Sequence, residues 1–304
     1  MLGMNPRQAF PIIIFISLLL GLSACSSPIE ASHTPTYTAS PASPPPPTAT
    51  LTPSPVPPTP TSTPLTCLKQ PGRVEQGVVT ATIPPQEYFI YLPPCYSELT
   101  DVRYPVLYLL HGQTYTDDQW VRLGVPQAMD EMLFSGSGVP FIVVFPDDRH
   151  WNSDYGPGFG DRLVGALVPY IDVTYRTIPN REHRALGGLS RGGGWTAELG
   201  FTNPNLFGSL GFHSPAIFSG DGFVVEKRVL AIPEDLRPRI WVDAGDNDRE
   251  LKSILEFERM LTRHQIPHEF HFLSGDHSEV YWGLHVPDYL RWYAQAWTEK
   301  VDGQ

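Results

Sequence analysis

Basic residues are scarce in this sequence: 21 lysines and arginines face 32 aspartates and glutamates, which gives a formal net charge of −11. A nucleic-acid-binding surface needs a basic footprint that neutralises phosphates. The charge balance therefore argues against nucleic acid as a partner. Cysteine is scarcer still, with 3 in 304 residues. Cys67 and Cys95 lack the additional His and Cys spacing of a zinc site, so no structural metal is predicted.

Charge is almost absent from the first 66 positions, which hold one basic and one acidic residue. The apolar run Pro11–Leu20 follows Arg7, is too short to span a bilayer comfortably and ends at small residues, as a secretory signal does. The sequence LSAC at 22–25 is similar to a bacterial lipobox, in which cleavage precedes the cysteine. We therefore predict a signal peptide over residues 1–24 and a lipid on Cys25 that anchors the protein to a bacterial membrane at the cell surface. An ordinary secretory signal with a spare cysteine is the alternative.

Proline dominates the next segment, where it supplies 11 of the 24 residues at 41–64. The remainder is mostly Thr, Ser and Ala, a composition that cannot bury a core and favours extended polyproline conformations. We predict that residues 25–66 form a disordered stalk that carries a folded domain at 67–304. Outside the cytoplasm a disulfide is permitted, and we expect one between Cys67 and Cys95, with two buried thiols as the alternative.

Apolar strands alternate with amphipathic helices through the folded part. Continuous apolar runs such as VLYLL at 106–110 and FIVVF at 141–145 are typical of strands that are covered on both faces of a parallel sheet. The alternation predicts an α/β three-layer sandwich with a mostly parallel central sheet, and catalytic residues at the carboxyl ends of its strands. The predicted strands are 76–81, 87–92, 106–111, 141–146, 184–189, 208–212, 240–244 and 269–273. The predicted helices are 117–134, 160–175, 191–202, 249–265 and 280–301.

One hydroxyl stands among five glycines in ALGGLSRGGG at 185–194. Residues 188–192 fit the pattern G-x-S-x-G of the nucleophile elbow, a sharp turn from a strand into a helix. A glycine-rich turn with an incidental serine is the alternative reading of so short a pattern. A predicted strand before Ser190 and a predicted helix after it supply the context that an elbow requires.

A serine hydroxyl is a poor nucleophile until a base takes its proton, so a histidine must come from elsewhere in the chain. His277 follows the last predicted strand in SGDHS, which is the right kind of loop at the right end of the chain. A metal cluster of His264, His268 and His271 is a competing idea. Pro267 interrupts the spacing between the predicted helix and strand that would carry those residues, which argues against a metal.

The acid that orients the histidine is expected in GDNDRE, after the strand predicted at 240–244. We assign it to Asp248, ahead of Asp246 and Glu250. Asp246 directly follows the glycine that ends the strand, so its carboxylate is expected to bridge loop backbone or cap the next helix. Each of these acids has helix capping as its alternative role, because a helix begins at once.

An oxyanion that forms during attack on a carbonyl needs preorganised N–H donors. The amide of Arg191, directly after the serine, is one candidate, and the amide of Gln113, in the loop after the strand predicted at 106–111, is the other. Aromatic residues in loops at the same edge are candidates to line a substrate pocket, with core packing as their alternative role. These aromatics are Tyr115, Trp151, Tyr155 and Trp282.

Taken together, these stretches resemble the esterase D branch of the α/β-hydrolases, which includes feruloyl, acetyl-xylan and enterochelin esterases, S-formylglutathione hydrolase and mycolyltransferases. The matching stretches are YLLHG (108–112), YIDVTYRT (170–177), RALGGLSRGG (184–193), DAGDND (243–248) and GDHSEVYW (275–282). The resemblance implies an α/β-hydrolase fold. It also implies that Ser190, Asp248 and His277 form a catalytic triad, and that the amides of Gln113 and Arg191 form the oxyanion hole.

The sequence therefore predicts a surface-anchored serine carboxylic-ester hydrolase that acts on an extracellular ester, either a small molecule or an acylated carbohydrate. No cofactor or metal is expected. Two alternatives stay open: an acyltransferase that uses a cell-envelope or sugar acceptor, and a non-enzymatic surface-binding protein on a hydrolase fold. The lipid at Cys25 is the expected contact with the membrane.

Overall fold

Eight strands form one twisted sheet in the computed structural model, which describes residues 66–148, 158–217 and 222–298. The strand order is β1-β2-β4-β3-β5-β6-β7-β8. The strands are β1 (Arg73–Val79), β2 (Gln86–Leu92), β3 (Val106–Leu110), β4 (Ile142–Pro146), β5 (Arg184–Ser190), β6 (Ser209–Pro215), β7 (Arg239–Asn247) and β8 (Glu269–Asp276). β2 pairs antiparallel with both β1 and β4, and every other pair is parallel. The sheet is therefore mostly parallel, as predicted.

Helices cover both faces of this sheet. The α-helices of the described residues are α1 (Gln119–Arg122), α2 (Val125–Phe134), α3 (Phe159–Arg162), α4 (Val168–Thr174), α5 (Arg191–Thr202), α6 (Gly222–Ala231), α7 (Leu251–Arg263) and α8 (Glu279–Thr298). None of the helices in this part of the chain is long and apolar enough to cross a membrane.

Successive residues of a strand point to opposite faces of the sheet, and β3 shows this division clearly. Val106, Tyr108 and Leu110 belong to the core on one face, whereas Leu107 and Leu109 belong to the core on the other. The first core also contains buried residues of α5, α6 and α7, and the second contains buried residues of α1, α2 and α8. Two apolar layers around one sheet give the three-layer α/β sandwich that the sequence predicts.

The helix predicted at 117–134 is two helices in the structure. Gly124 adopts a left-handed backbone (φ 91°) at the start of α2, and Pro126 follows within the first turn. Proline has no amide hydrogen to continue a preceding helix, so the helix ends and restarts here.

The helix predicted at 160–175 contains a π turn between α3 and α4, and α6 was not predicted.

Cys67 and Cys95 form a disulfide. It joins the short 3-10 turn Thr66–Lys69 to the chain that follows β2, across a sequence separation of 28 residues. Closing a loop of this length restricts the unfolded chain, which stabilises the fold by about 3–4 kcal/mol on the chain-entropy account. The bond secures the outer hairpin of the sheet, β1 and β2.

Candidate active site

Ser190 ends β5 in a strained backbone conformation, with φ 52° and ψ −120°. Such a conformation costs about 1–3 kcal/mol and persists where the surroundings enforce it. A Cβ added at Gly188 would overlap the backbone of Gly192, and one added at Gly192 would overlap the carbonyl of Leu110. The two glycines therefore permit a close approach that no other residue allows, and this approach holds Ser190 at a sharp strand-to-helix turn.

Ser190, His277 and Asp248 lie in one hydrogen-bonded chain. The Nε2 atom of His277 is 2.8 Å from the Ser190 hydroxyl, and its Nδ1 atom is 2.9 Å from Oδ1 of Asp248. A carboxylate can only accept, so Nδ1 carries the proton and donates it to Asp248. Nε2 is then left to accept from the Ser190 hydroxyl, which is the tautomer that a general base requires.

The Asp248 carboxylate is buried but well supplied with donors. Burial alone would raise its pKa. Hydrogen bonds from His277, from Ser214 and from the amide of Glu250 outweigh that effect and hold the pKa of Asp248 below its usual value. The Glu250 amide lies 2.7 Å from Oδ1. Asp248 therefore stays ionised near neutral pH and stabilises a positive charge on the imidazole ring.

The two neighbouring acids are occupied elsewhere. Asp246 is exposed, and its Oδ1 accepts the amide of Gly275 at 2.9 Å, so it bridges the loop backbone as expected from its position. Glu250 stands at the N-cap position of α7 without a capping hydrogen bond from its side chain, and its Oε1 lies 3.6 Å from Nε of Arg249. β7 ends at Asn247, so Asp246 lies within the strand and Asp248 lies directly after it. Among the contacts described, Asp248 alone of the three acids contacts His277 through its side chain.

The loop after β3 runs beside the serine. A Cβ at Gly112 would lie 3.7 Å from the Cβ of Ser190. The Gly112 amide already donates to Oε1 of Gln119 at 2.8 Å, which makes the next amide, that of Gln113, the candidate donor from this loop. The second candidate, the Arg191 amide, belongs to the first turn of α5, where amides have no partner within the helix. These amides suit the stabilisation of a negative oxygen beside Ser190.

A buried charged cluster next to Ser190 was missed by the sequence reasoning, which considered Arg191 for its amide alone. The Arg191 side chain is buried and its Nη2 lies 3.0 Å from Oδ2 of Asp148, which also accepts the indole N–H of Trp195 at 2.7 Å. His111, which follows the last residue of β3, belongs to the same cluster. Burial lowers the pKa of His111, but hydrogen bonding to Asp147 and the charge of Asp148 outweigh burial and raise that pKa. The sequence does contain a signal for this cluster, because two adjacent aspartates, Asp147 and Asp148, directly follow the wholly apolar strand β4.

The predicted pocket aromatics have different surroundings. Tyr115 is exposed and its ring centre lies 5.6 Å from the guanidinium of Arg122. Trp282 is buried and packs edge-on against the ring of His277, with the ring centres 5.0 Å apart. Trp282 therefore supports the histidine. Trp151 and Tyr155 lie outside the described residues, as does Cys25.

The three histidines considered for a metal do not come together. His264 contacts Glu226, His268 contacts the carbonyl of Ile266, and His271 stacks on Trp241. Among residues 66–148, 158–217 and 222–298, no group of three or more potential metal ligands is present. The contacts of these three histidines give no support to the metal alternative.

Comparison with known proteins places this arrangement in a family. An endo-1,4-beta-xylanase/feruloyl esterase of Xylanibacter ruminicola is 30% identical in an alignment of 170 positions, and the match covers 52% of this chain and 22% of that protein. An esterase of Mycobacterium tuberculosis is 26% identical in an alignment of 231 positions, and the match covers 57% of this chain and 48% of that protein. The chain thus spans less than half the length of these curated relatives.

Solved structures give the same result for the fold. A ferulic acid esterase superposes with a TM-score of 0.67 at 26% identity, over 74% of this chain and 98% of that one. The sequence model of the family described as "Putative esterase" matches residues 85–293, from the start of β2 into α8. The chain therefore belongs to this esterase family and has the α/β-hydrolase fold.

Proposed function

We propose that this protein is a serine carboxylic-ester hydrolase whose catalytic triad is Ser190, His277 and Asp248. The observation that carries the proposal is the unbroken chain of hydrogen bonds from Asp248 through His277 to a serine held on a strained turn. Membership of the esterase family supports the reaction class.

The reaction proceeds in two halves. His277 Nε2 takes the hydroxyl proton as Ser190 Oγ attacks the ester carbonyl, and the bond to the alcohol breaks when His277 returns that proton to the leaving oxygen. Water then gives a proton to the same Nε2 and attacks the acyl-serine. The acyl–serine bond breaks, the acid departs, and the proton returns to Ser190. The amides of Gln113 and Arg191 stabilise the oxyanion in both halves.

The substrate is proposed to be an ester of an aromatic acid with a sugar, because the relatives and the solved structure include feruloyl esterases by name. Purified protein should be compared on acetyl, butyryl and feruloyl esters. Preference for the feruloyl ester supports this substrate, whereas equal rates on all three would reject it. Repeating the assay with a sugar acceptor separates hydrolysis from acyl transfer, since transfer gives a new ester in place of free acid.

The location is proposed from the N-terminal sequence alone: a lipid on Cys25 and a proline-rich spacer would hold the enzyme outside the cell membrane. Mass spectrometry of the mature N-terminus tests this directly. Cys25→Ser should move the protein from the membrane fraction to the medium, and a mature N-terminus without lipid would reject the anchor.

A fluorophosphonate probe tests the triad. It should label the purified protein at Ser190, and Ser190→Ala should abolish both labelling and hydrolysis while thermal unfolding is unchanged. Ser209 lies on β6 and serves as the matched control, since Ser209→Ala should keep both. Labelling at another residue, or hydrolysis that survives in Ser190→Ala, would overturn the proposed mechanism.

A further inference from the structure

We infer that Ser214 is a positioning residue for the triad: its hydroxyl holds the carboxylate of Asp248 in the rotation that presents Oδ1 to His277. This inference rests on the proposed function and assigns a role to a residue that the sequence pattern does not mark. Ser214 lies near the carboxyl end of β6, in the strand between the one that carries Ser190 and the one that leads to Asp248.

Within the described residues, the side-chain hydrogen bonds of Ser214 go to Asp248 and His277. Its hydroxyl donates to Oδ2 of Asp248, and its oxygen lies 3.1 Å from Nδ1 of His277. The side chain is buried with no measurable exposure. A buried hydroxyl that has a carboxylate oxygen on one side and an imidazole N–H on the other can donate to the first and accept from the second.

Each oxygen of Asp248 then has a fixed task. Oδ1 accepts from Nδ1 of His277 at 2.9 Å and from the Glu250 amide at 2.7 Å, and Oδ2 accepts from Ser214. With both oxygens engaged, the carboxylate cannot rotate about its bond to Cβ without breaking a hydrogen bond in a buried site. Fixing Asp248 in turn keeps the proton of His277 on Nδ1 and leaves Nε2 as the base toward Ser190.

The backbone of Ser214 gives an independent reason to look for a use of its side chain. Its φ of 49° lies in the left-handed region, which costs an ordinary residue free energy and suits glycine. The neighbouring Pro215 packs against Gly193 of α5, so this turn of β6 sits directly behind the nucleophile helix. A serine here bears a strain that glycine would avoid, and its hydroxyl contact is the compensating gain.

The groups around Asp248 come from three other places in the fold. His277 faces it from the loop before α8, and the amide of Glu250 donates to it from the start of α7. Tyr281 of α8 is close enough that the charge of Asp248 helps to raise the pKa of the tyrosine. The hydrogen bond from Ser214 is among the contacts that lower the pKa of Asp248. Loss of the hydroxyl therefore also removes part of what keeps this carboxylate ionised.

The test is a double-mutant cycle between Ser214→Ala and Asp248→Asn, read as kcat and KM on an ester that the wild-type protein hydrolyses. Ser214→Ala should lower kcat by about 10-fold or more with KM unchanged, because it removes one hydrogen bond to a charged group that matters in the transition state. In Asp248→Asn the same change should cost almost nothing further, since the hydroxyl acts through Asp248. Ser214→Cys, which keeps a weak donor, should recover part of the rate.

Ser209→Ala, on the same strand, is the matched control and should leave kcat and the phosphonate labelling rate unchanged. Ser214→Gly suits the left-handed backbone and lacks the hydroxyl, so it tests the same loss if Ser214→Ala folds poorly. Equal losses of kcat in the wild-type and Asp248→Asn backgrounds would overturn the inference, as would full activity of folded Ser214→Gly. A wild-type protein that neither hydrolyses esters nor labels at Ser190 would instead overturn the proposed function, and this role with it.

Discussion

Two Asp–His–hydroxyl chains lie in the described part of the molecule; Asp243 belongs to β7, and Asp248 directly follows the last residue of that strand. In the outer chain Asp248 contacts His277, whose Nε2 lies 2.8 Å from the Ser190 hydroxyl. In the inner chain Asp243 lies 3.1 Å from Nδ1 of His213, whose Nε2 lies 3.0 Å from the hydroxyl of Tyr293. The pattern of hydrogen bonds is the same in the two chains, so the pattern alone cannot make a nucleophile.

The differences between the two chains identify what else is required. Tyr293 has no measurable exposure, and burial followed by the charge of Asp243 raises its pKa well above the usual value, so its proton stays in place. Asp243 also accepts from Trp241 on the same strand and from Tyr281 and Tyr289 of α8, and the two tyrosines join α8 to β7. Ser190 instead stands on a strained turn, and α5 begins at the next residue, Arg191. Backbone strain and the adjacent start of a helix therefore distinguish the chain that we propose as catalytic from the inner chain.

The largest effect is expected when each of the two histidines, His277 and His213, is replaced by glutamine. His277→Gln should lower turnover by about 10⁵–10⁶-fold, because the base is lost and the triad acts as a unit. His213→Gln should leave turnover of the folded protein within a small factor while lowering its thermal stability. Rates normalised to active folded protein measure the contrast. A comparable loss of turnover in both variants would mean that the inner chain takes part in the reaction.

The next largest effect separates Asp248 from Asp246, the acid two residues before it. Asp248→Asn should lower kcat by about 10⁴-fold, since the amide disturbs the tautomer of His277. Asp246→Asn should change kcat little, because Asp246 holds the backbone of Gly275 instead. The two variants should be assayed at equal folded fraction. If Asp246→Asn showed the greater loss, the assignment of the triad acid would be wrong.

Disruption of the inner chain should lower the free energy of unfolding. Asp243→Asn places an amide among four donors that now face one carboxylate, and we expect a loss of about 3 kcal/mol in the free energy of unfolding. Chemical denaturation measures this loss, with Asp246→Asn as the exposed control. Unchanged stability of Asp243→Asn would show that the buried carboxylate does not hold β7 and α8 together.

The smallest effect concerns pH. The pKa of Asp248 is lowered in the folded protein, so its ionised form contributes stability at pH values above about 4, the usual aspartate pKa. This contribution is lost as the pH falls below that value toward the folded pKa. The difference in thermal midpoint between wild type and Asp248→Asn should therefore be constant from pH 5 to 7 and shrink at pH 3–4. A difference that grows on acidification would contradict the direction of the shift.

Much of the site follows from chain order and strand ends. Ser190, Asp248 and His277 each follow a predicted parallel strand, and parallel strands bring their carboxyl ends to one edge. The choice between Asp246 and Asp248 also follows from local position, although β7 runs past Gly245 to Asn247. Asp246 directly follows Gly245, and its carboxylate accepts the backbone amide of Gly275. These inferences depend on sequence neighbours and on the direction of a strand, both of which a single sequence contains.

The residues that were missed depend on pairing across strands. Ser214 reaches Asp248 because β6 lies beside β7, and Asp148 reaches Arg191 because the end of β4 lies near the start of α5. No spacing within one segment encodes these contacts. The break in the helix predicted at 117–134 does have a local signal, because a glycine and a proline stand at positions 124 and 126.

The disulfide also determines how the domain bears tension. When the chain is pulled from its N-terminal side, force that arrives at Cys67 passes through the sulfur atoms to Cys95. Residues 68–94, which include β1 and β2, are thereby bypassed and carry no load. The antiparallel hairpin at the edge of the sheet is therefore shielded from the force, and the load enters the domain beyond β2.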